Sequence, residues 1–289
     1  MLITRLEASR TRGGESPLWD PSAHVHYYID NFGQKVLRFD PLAKTTRCWD
    51  MPSIVTALAL NQHGAAVVAL RSGIHLLDFG SSTLKCLIPR DDSALHVYND
   101  GRVDRRGRFL LGGTTANFND PTPDGGIYSL GVDHRLRQLD TGIHFSNSPC
   151  FSPDDRTFYF SDSFLYTTYA YDYDISTGEI ANKRVFVDTK SLGGMPDGST
   201  VDSDGLLWMA IYGGGKVAAF NPAGKLVRSI ELPVKLVSSV MFGGPQLDRL
   251  YVTTIEEGAL GEPAEEGAGY VYAIEGLGAR GLPEPYYAG

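Results

Sequence analysis

Six polar side chains stand at a recurring place in this chain: Glu15, Thr56, Asn99, Asn147, Asp197 and Ser239. All six carry oxygen, and four of them supply two carboxylates and two amides. Such donors suit a hard cation such as Ca²⁺, Mg²⁺ or Mn²⁺, and they also accept Zn²⁺ or Fe²⁺. A cation held by only a few protein ligands keeps positions open for water and substrate. It then polarises a carbonyl oxygen and acidifies a bound water, while a neighbouring carboxylate takes the proton.

Taken singly, these residues have a plainer explanation. Asp197-Gly198 and Asn99-Asp100-Gly101 are ordinary turn sequences. The shared offset argues against that explanation. Each polar residue lies ten to twelve positions before an anchor in a strand-like run, the anchors being Tyr27, Ala66, Phe109, Phe158, Leu207 and Leu250. Glu15 is the sharpest case, because Glu is a poor turn former. Pro and Gly beside the polar residue, as in Gly13-Gly14-Glu15-Ser16-Pro17 and Met195-Pro196-Asp197-Gly198, set the turn that aims it.

The elements that position these residues follow from the repeat. The anchors recur 39 to 49 residues apart, with several short strands in each interval. That period predicts an all-β, six-bladed propeller with four-stranded blades, spanning residues 1–289 as one domain. Equivalent positions then form a ring about one axis. Strand-like runs at Leu2–Glu7 and Tyr270–Ile274 are expected to share one blade and close the ring, which removes exposed sheet edges. Two insertions, residues 115–126 and 256–269, are rich in Gly, Pro and acids and read as surface loops. The first follows the Asn99 unit and is expected to form a rim or lid over the axis.

Composition narrows the partners. The net charge is −8 and no Lys/Arg stripe is present, which argues against nucleic acid. No apolar run approaches the length of a membrane span, and the amino terminus carries no secretory signal pattern. Cys48, Cys86 and Cys150 are odd in number and lack CxxC spacing, so they are expected to be reduced thiols of a cytoplasmic protein. Cys150 is expected beneath the ring. His96 and His144, each three residues before a ring position, are minor candidates for rim contacts. No Gly-x-Ser-x-Gly or Gly-x-x-x-x-Gly-Lys motif is present.

The chain resembles the SMP-30/gluconolactonase/regucalcin family along nearly its whole length. The resemblance is carried by Gly14-Glu15-Ser16-Pro17-Leu18-Trp19, Asn99-Asp100-Gly101-Arg102-Val103-Asp104, Tyr171-Asp172-Tyr173-Asp174, Pro196-Asp197-Gly198 and Phe242-Gly243-Gly244. It implies a six-bladed propeller that hydrolyses a sugar lactone with one divalent metal ion on its axis. Glu15, Asn147 and Asp197 are implied as metal ligands, and Asp197 also as the base that activates water. Asn99, Tyr98, Asn117 and Arg102 are implied as substrate contacts. Two positions depart from the family pattern: Val97 stands where many members have Arg, and Asn117 where a Glu is common. Both changes remove a charged partner for sugar hydroxyls.

The leading expectation is therefore metal-dependent hydrolysis of an aldonolactone to its acid, with a small sugar lactone as the partner molecule. A phosphotriesterase-like propeller and a divalent-metal-binding protein without turnover are the alternatives. A WD40 or Kelch type of interaction ring does not need acids and amides gathered on its axis, and it lacks support here.

Overall fold

The computed structural model describes residues 1–90, 96–256, 261 and 265–289. Its strands form six antiparallel sheets of four strands each, arranged as the blades of a propeller. The innermost strands are Gly14–Asp20, Val55–Leu60, His96–Val103, Ser146–Phe151, Met195–Val201 and Val237–Gly243. They touch one another in that order, and the last returns to the first.

The pattern of burial explains why the blades stand together. Second strands such as Val25–Asp30, Ala65–Leu70 and Leu207–Tyr212 are buried at every residue, because each sheet is covered on both faces by its neighbours. Outermost strands such as Thr45–Asp50 and Leu226–Glu231 are mostly exposed. Aromatic side chains fill the wedges between blades. Trp19 of the first blade, for instance, stacks on Tyr251 of the sixth with ring centroids 5.8 Å apart.

Closure occurs as the sequence predicts. The amino-terminal strand Leu2–Leu6 pairs with Val271–Glu275, and the two complete the sixth blade. A second closure was not foreseen. Beyond Glu275 the chain runs across the face opposite Glu15, bridging Gly281 to Asp202 and Tyr287 to Asn61. Tyr287 is fully buried there and donates to the Gly131 carbonyl at 2.9 Å.

One irregularity recurs in all six blades. The register of the innermost strand slips between Glu15 and Leu18, Val55 and Ala57, Asn99 and Gly101, Asn147 and Cys150, Pro196 and Ser199, and Val237 and Ser239. Such bulges re-aim side chains, and here they turn the strand toward the axis. Ser16, Asp100 and Ser148, immediately after Glu15, Asn99 and Asn147, take left-handed φ values of 46°, 46° and 62°.

The 115–126 insertion connects the strands Phe109–Thr115 and Gly125–Leu130. Thr115 holds its start by donating to the Asn117 carbonyl at 2.6 Å. Within the 256–269 insertion, residues 257–260 and 262–264 lie outside the described residues.

Candidate metal centre

The bulges do not place all six recurrent residues on one level. Glu15, Asn99 and Asn147 stand at the last paired residue before the slip, Thr56 and Asp197 lie within the slip, and Ser239 follows it. Four of the six, Glu15, Asn99, Asn147 and Asp197, line one cavity at the axis, about 630 Å³ of empty space with the solvent at its open mouth included. Thr56 and Ser239 do not. Thr56 donates to the Tyr98 carbonyl at 2.7 Å, and Ser239 packs against Gly198, where an added Cβ would come within 2.0 Å of its Oγ. Both tie neighbouring blades together.

A chain of hydrogen bonds sets the direction of the amides. The Pro196 carbonyl can only accept, so the Ser163 hydroxyl donates to it, at 2.6 Å. Ser163 Oγ must then accept from Asn147 Nδ2, which lies 3.0 Å away. Asn147 is thereby turned with Oδ1 on the other side, where Asn99 Nδ2 approaches it at 3.3 Å. Asn99 Nδ2 also donates to the Ser146 carbonyl at 2.7 Å, which leaves its own Oδ1 as the acceptor end.

The carboxylates are in strong mutual tension. Burial pushes the Glu15 carboxyl well above its ordinary range, and the charges of Asp197 and Asp100 push it further. Asp197 is raised well above the carboxylate range by burial and then by Asp100. Asp100 itself is raised by burial, with Arg102 opposing the shift. Among the described residues no Lys, Arg or His lines the cavity. Arg102 offsets Asp100, but Glu15 and Asp197 are buried without a positive partner of their own, which is costly unless a proton or a cation neutralises them. Glu15, Asp197 and the oriented Oδ1 of Asn147 therefore fit a divalent ion held through oxygen. Among the described residues no three His, Cys, Asp or Glu side chains form a metal-type group; the fit rests on two acids and an amide.

Three expected substrate contacts lie elsewhere. Arg102 is three residues past Asn99 along the strand, beyond the bulge and toward the other face of the ring. Its side chain is 6% exposed, with Nη1 3.7 Å from Glu284 and Nη2 donating to the Ser199 carbonyl at 3.0 Å. Tyr98 leaves the strand on the side opposite Asn99 and packs edge-on against Tyr128 at 5.5 Å. It lines a separate cleft together with Val97 and Arg71. Asn117 is exposed, and its Oδ1 caps the Asn119 amide at 3.2 Å. The next residue, Phe118, reaches the cavity instead. His144 is occupied by Asp162, its Nδ1 2.8 Å from Oδ2; the side chain of His96 is outside the described residues. Cys150 is buried near Ser199, 3.3 Å from its Oγ, and burial pushes its thiol up to about 12. Cys48 and Cys86 are exposed and free.

Sequence reasoning missed Ser163, Asn31 and Asp100. Asp100 was visible in the Asn-Asp-Gly motif, yet its convergence on Glu15 and Asp197 depends on the ring. Asn31 lines the cavity with a buried Oδ1 that has no hydrogen-bond partner.

Comparison with known proteins agrees with this architecture. Residues 13–256 match the SMP-30/Gluconolactonase/LRE-like region. The chain belongs to this family. Regucalcin from Oryctolagus cuniculus is 34% identical over 286 residues, covering 96% of this chain and 95% of that protein. Regucalcin from Homo sapiens is 34% identical over 289 residues with the same coverage. Among solved structures, a luciferin-regenerating enzyme superposes with a TM-score of 0.91 at 26% identity, covering 98% of both chains. A calcium-binding regucalcin from Agrobacterium tumefaciens superposes at 0.90 with 25% identity, covering 98% of this chain and 96% of that one. A gluconolactonase from Xanthomonas campestris, 23% identical with a TM-score of 0.75 over 98% of this chain and 89% of that one, shares the fold. The family and its structural neighbours support a propeller of the sugar-lactonase type. Among the described residues no helix is long and apolar enough to cross a membrane.

Proposed function

We propose that this protein hydrolyses a lactone in a divalent-metal-dependent reaction at the axial cavity, the sugar lactones of its family being the reference class. The observation that carries the reading is the convergence of Glu15, Asn147 and Asp197 on a cavity with no basic residue among the described residues of its lining. These three residues would hold the ion, which supplies polarisation of the lactone carbonyl. Asp197 accepts a proton from the water that attacks the carbonyl carbon. As the ring C–O bond breaks, that proton passes to the departing alkoxide, giving a free hydroxyl and a carboxylic acid, which ionises and releases the second water proton to solvent. Ser163 and Asn99 keep Asn147 turned correctly throughout, so no reorganisation accompanies the step.

The test is acid release from a lactone panel by metal-stripped protein, with single divalent ions restored one at a time. Restoration by an ion supports the reading, and Glu15→Gln is expected to weaken the affinity for it. Acid release that is unaffected by stripping overturns metal dependence. Divalent-cation binding without turnover is the second reading, favoured by the all-oxygen donor set and by the calcium-binding relative. It predicts metal affinity with no acid released from any lactone.

A further inference from the structure

The axial cavity is polar only in its depth. The acids and amides sit one to three residues into the innermost strands, whereas the mouth is formed by loops and strand ends. Phe32 comes from the first blade, Met195 and Tyr212 from the fifth, and Ile255 from the sixth. The loops of the third and fourth blades add Phe118, Phe145 and Phe164. Apart from the Tyr212 hydroxyl, the mouth is thus an apolar collar to which five of the six blades contribute.

This collar is built rather than incidental. Phe145 meets Phe118 and Phe164 with ring centroids 5.7 and 5.2 Å apart, both inclined as aromatic pairs prefer. The Phe145 amide is fixed by Asp162 Oδ1 at 3.2 Å, and Arg71 lies 5.8 Å from the Phe118 ring while donating to the Ala116 carbonyl at 2.8 Å. On the other side, Phe32 and Met195 pack on the buried cluster of Tyr212, Leu236 and Ile255.

The polar groups that remain are already engaged. The amide nitrogens of Asn99 and Asn147 donate to Ser146 and Ser163, and the Ser163 hydroxyl to Pro196. Glu15 and Asp197 belong to the cation. That leaves Asn31 and the Oδ1 of Asn99 to serve the several hydroxyls of a polyhydroxylated ring, each of which loses water on entry and costs free energy if unpaired. A carboxylate or phosphate on the substrate would find no Lys or Arg among the described residues of the lining.

We infer that the lactone taken by this site is uncharged and carries a hydrocarbon substituent, seated in the collar, in place of a set of ring hydroxyls. This rests on the lactonase reading above and names its substrate class. The metal-loaded, full-length protein is assayed on three δ-lactones of one ring size: unsubstituted δ-valerolactone, its 5-propyl derivative, and glucono-δ-lactone. Each buried methylene is expected to raise kcat/KM roughly fourfold, so the propyl compound should exceed the unsubstituted ring at least about tenfold, with glucono-δ-lactone below both. Metal-dependent turnover that is fastest on glucono-δ-lactone overturns the inference and leaves the lactonase reading intact. Metal binding with no turnover of any of the three overturns both. As a second readout, Phe164→Asn and Phe145→Asn should each lower the propyl-to-unsubstituted ratio at least threefold. An unchanged ratio in both folded variants also overturns the inference.

Discussion

The hydroxyl of Ser163 is the hinge on which Asn147 is set: it donates to Pro196 at 2.6 Å and therefore accepts from Asn147 at 3.0 Å. Groups behind a metal ligand commonly change affinity ten- to a hundredfold when removed. Ser163→Ala should weaken divalent-ion binding by about tenfold, read by titration of the stripped protein, while the thermal transition of the stripped form moves little. Unchanged affinity would mean that Asn147 Oδ1 is not a ligand.

Asp197 has two expected tasks, and they separate in one variant. Asp197→Asn keeps an oxygen for the ion and loses the base. Turnover is expected to fall by at least about a hundredfold, with a smaller loss of metal affinity. Retained turnover in a metal-saturated sample would assign the base elsewhere. The same substitution removes one of the buried, mutually repelling acids, so the stripped variant should melt above the stripped parent.

Arg102 answers a different question. It is the cation facing Asp100 and Glu284 on the far side of the ring from the collar. Removing one member of a buried charge set leaves the others uncompensated, at a cost of about 3–5 kcal/mol. Arg102→Met should show that loss in denaturant unfolding, with the order of preference among lactones unchanged. A changed order of preference would return Arg102 to the substrate site.

His26 adds a pH dependence of its own to the stability of the fold. It is buried between Tyr28 and Tyr251, at centroid distances of 5.2 and 4.5 Å, and neither ring nitrogen has a hydrogen-bond partner. Burial lowers its pKa to about 3. The unfolded chain takes up a proton near pH 6.5 that the folded one refuses until about pH 3. The unfolded state binds more protons across that window, so stability falls as pH drops through it, by up to about 1.4 kcal/mol per pH unit. His26→Phe should remove this slope. Relative to the parent it should gain about 2 kcal/mol between pH 7 and pH 5. An identical pH dependence in both proteins would show that His26 is not the group responsible.

Much of the architecture was written locally. Strand alternation, Asx turns and the recurring anchors depend on neighbours within a few residues, so the six blades, their closure by Leu2–Leu6 on Val271–Glu275, and the axial gathering of Glu15, Asn99, Asn147 and Asp197 were legible before any fold was seen. What the linear pattern could not decide was the side on which a chain leaves each bulge. A slip of one residue reverses a side chain's direction, which is why Thr56 and Ser239 fall outside the cavity and Arg102 and Tyr98 face away from it. Nor could it show the collar. Phe32, Phe145 and Ile255 are separated by more than a hundred residues from one to the next, and they meet only because the ring closes. Recurrence along the chain therefore determined which residues could do chemistry, while strand register and ring closure decided which of them share a cavity and what kind of surface surrounds it.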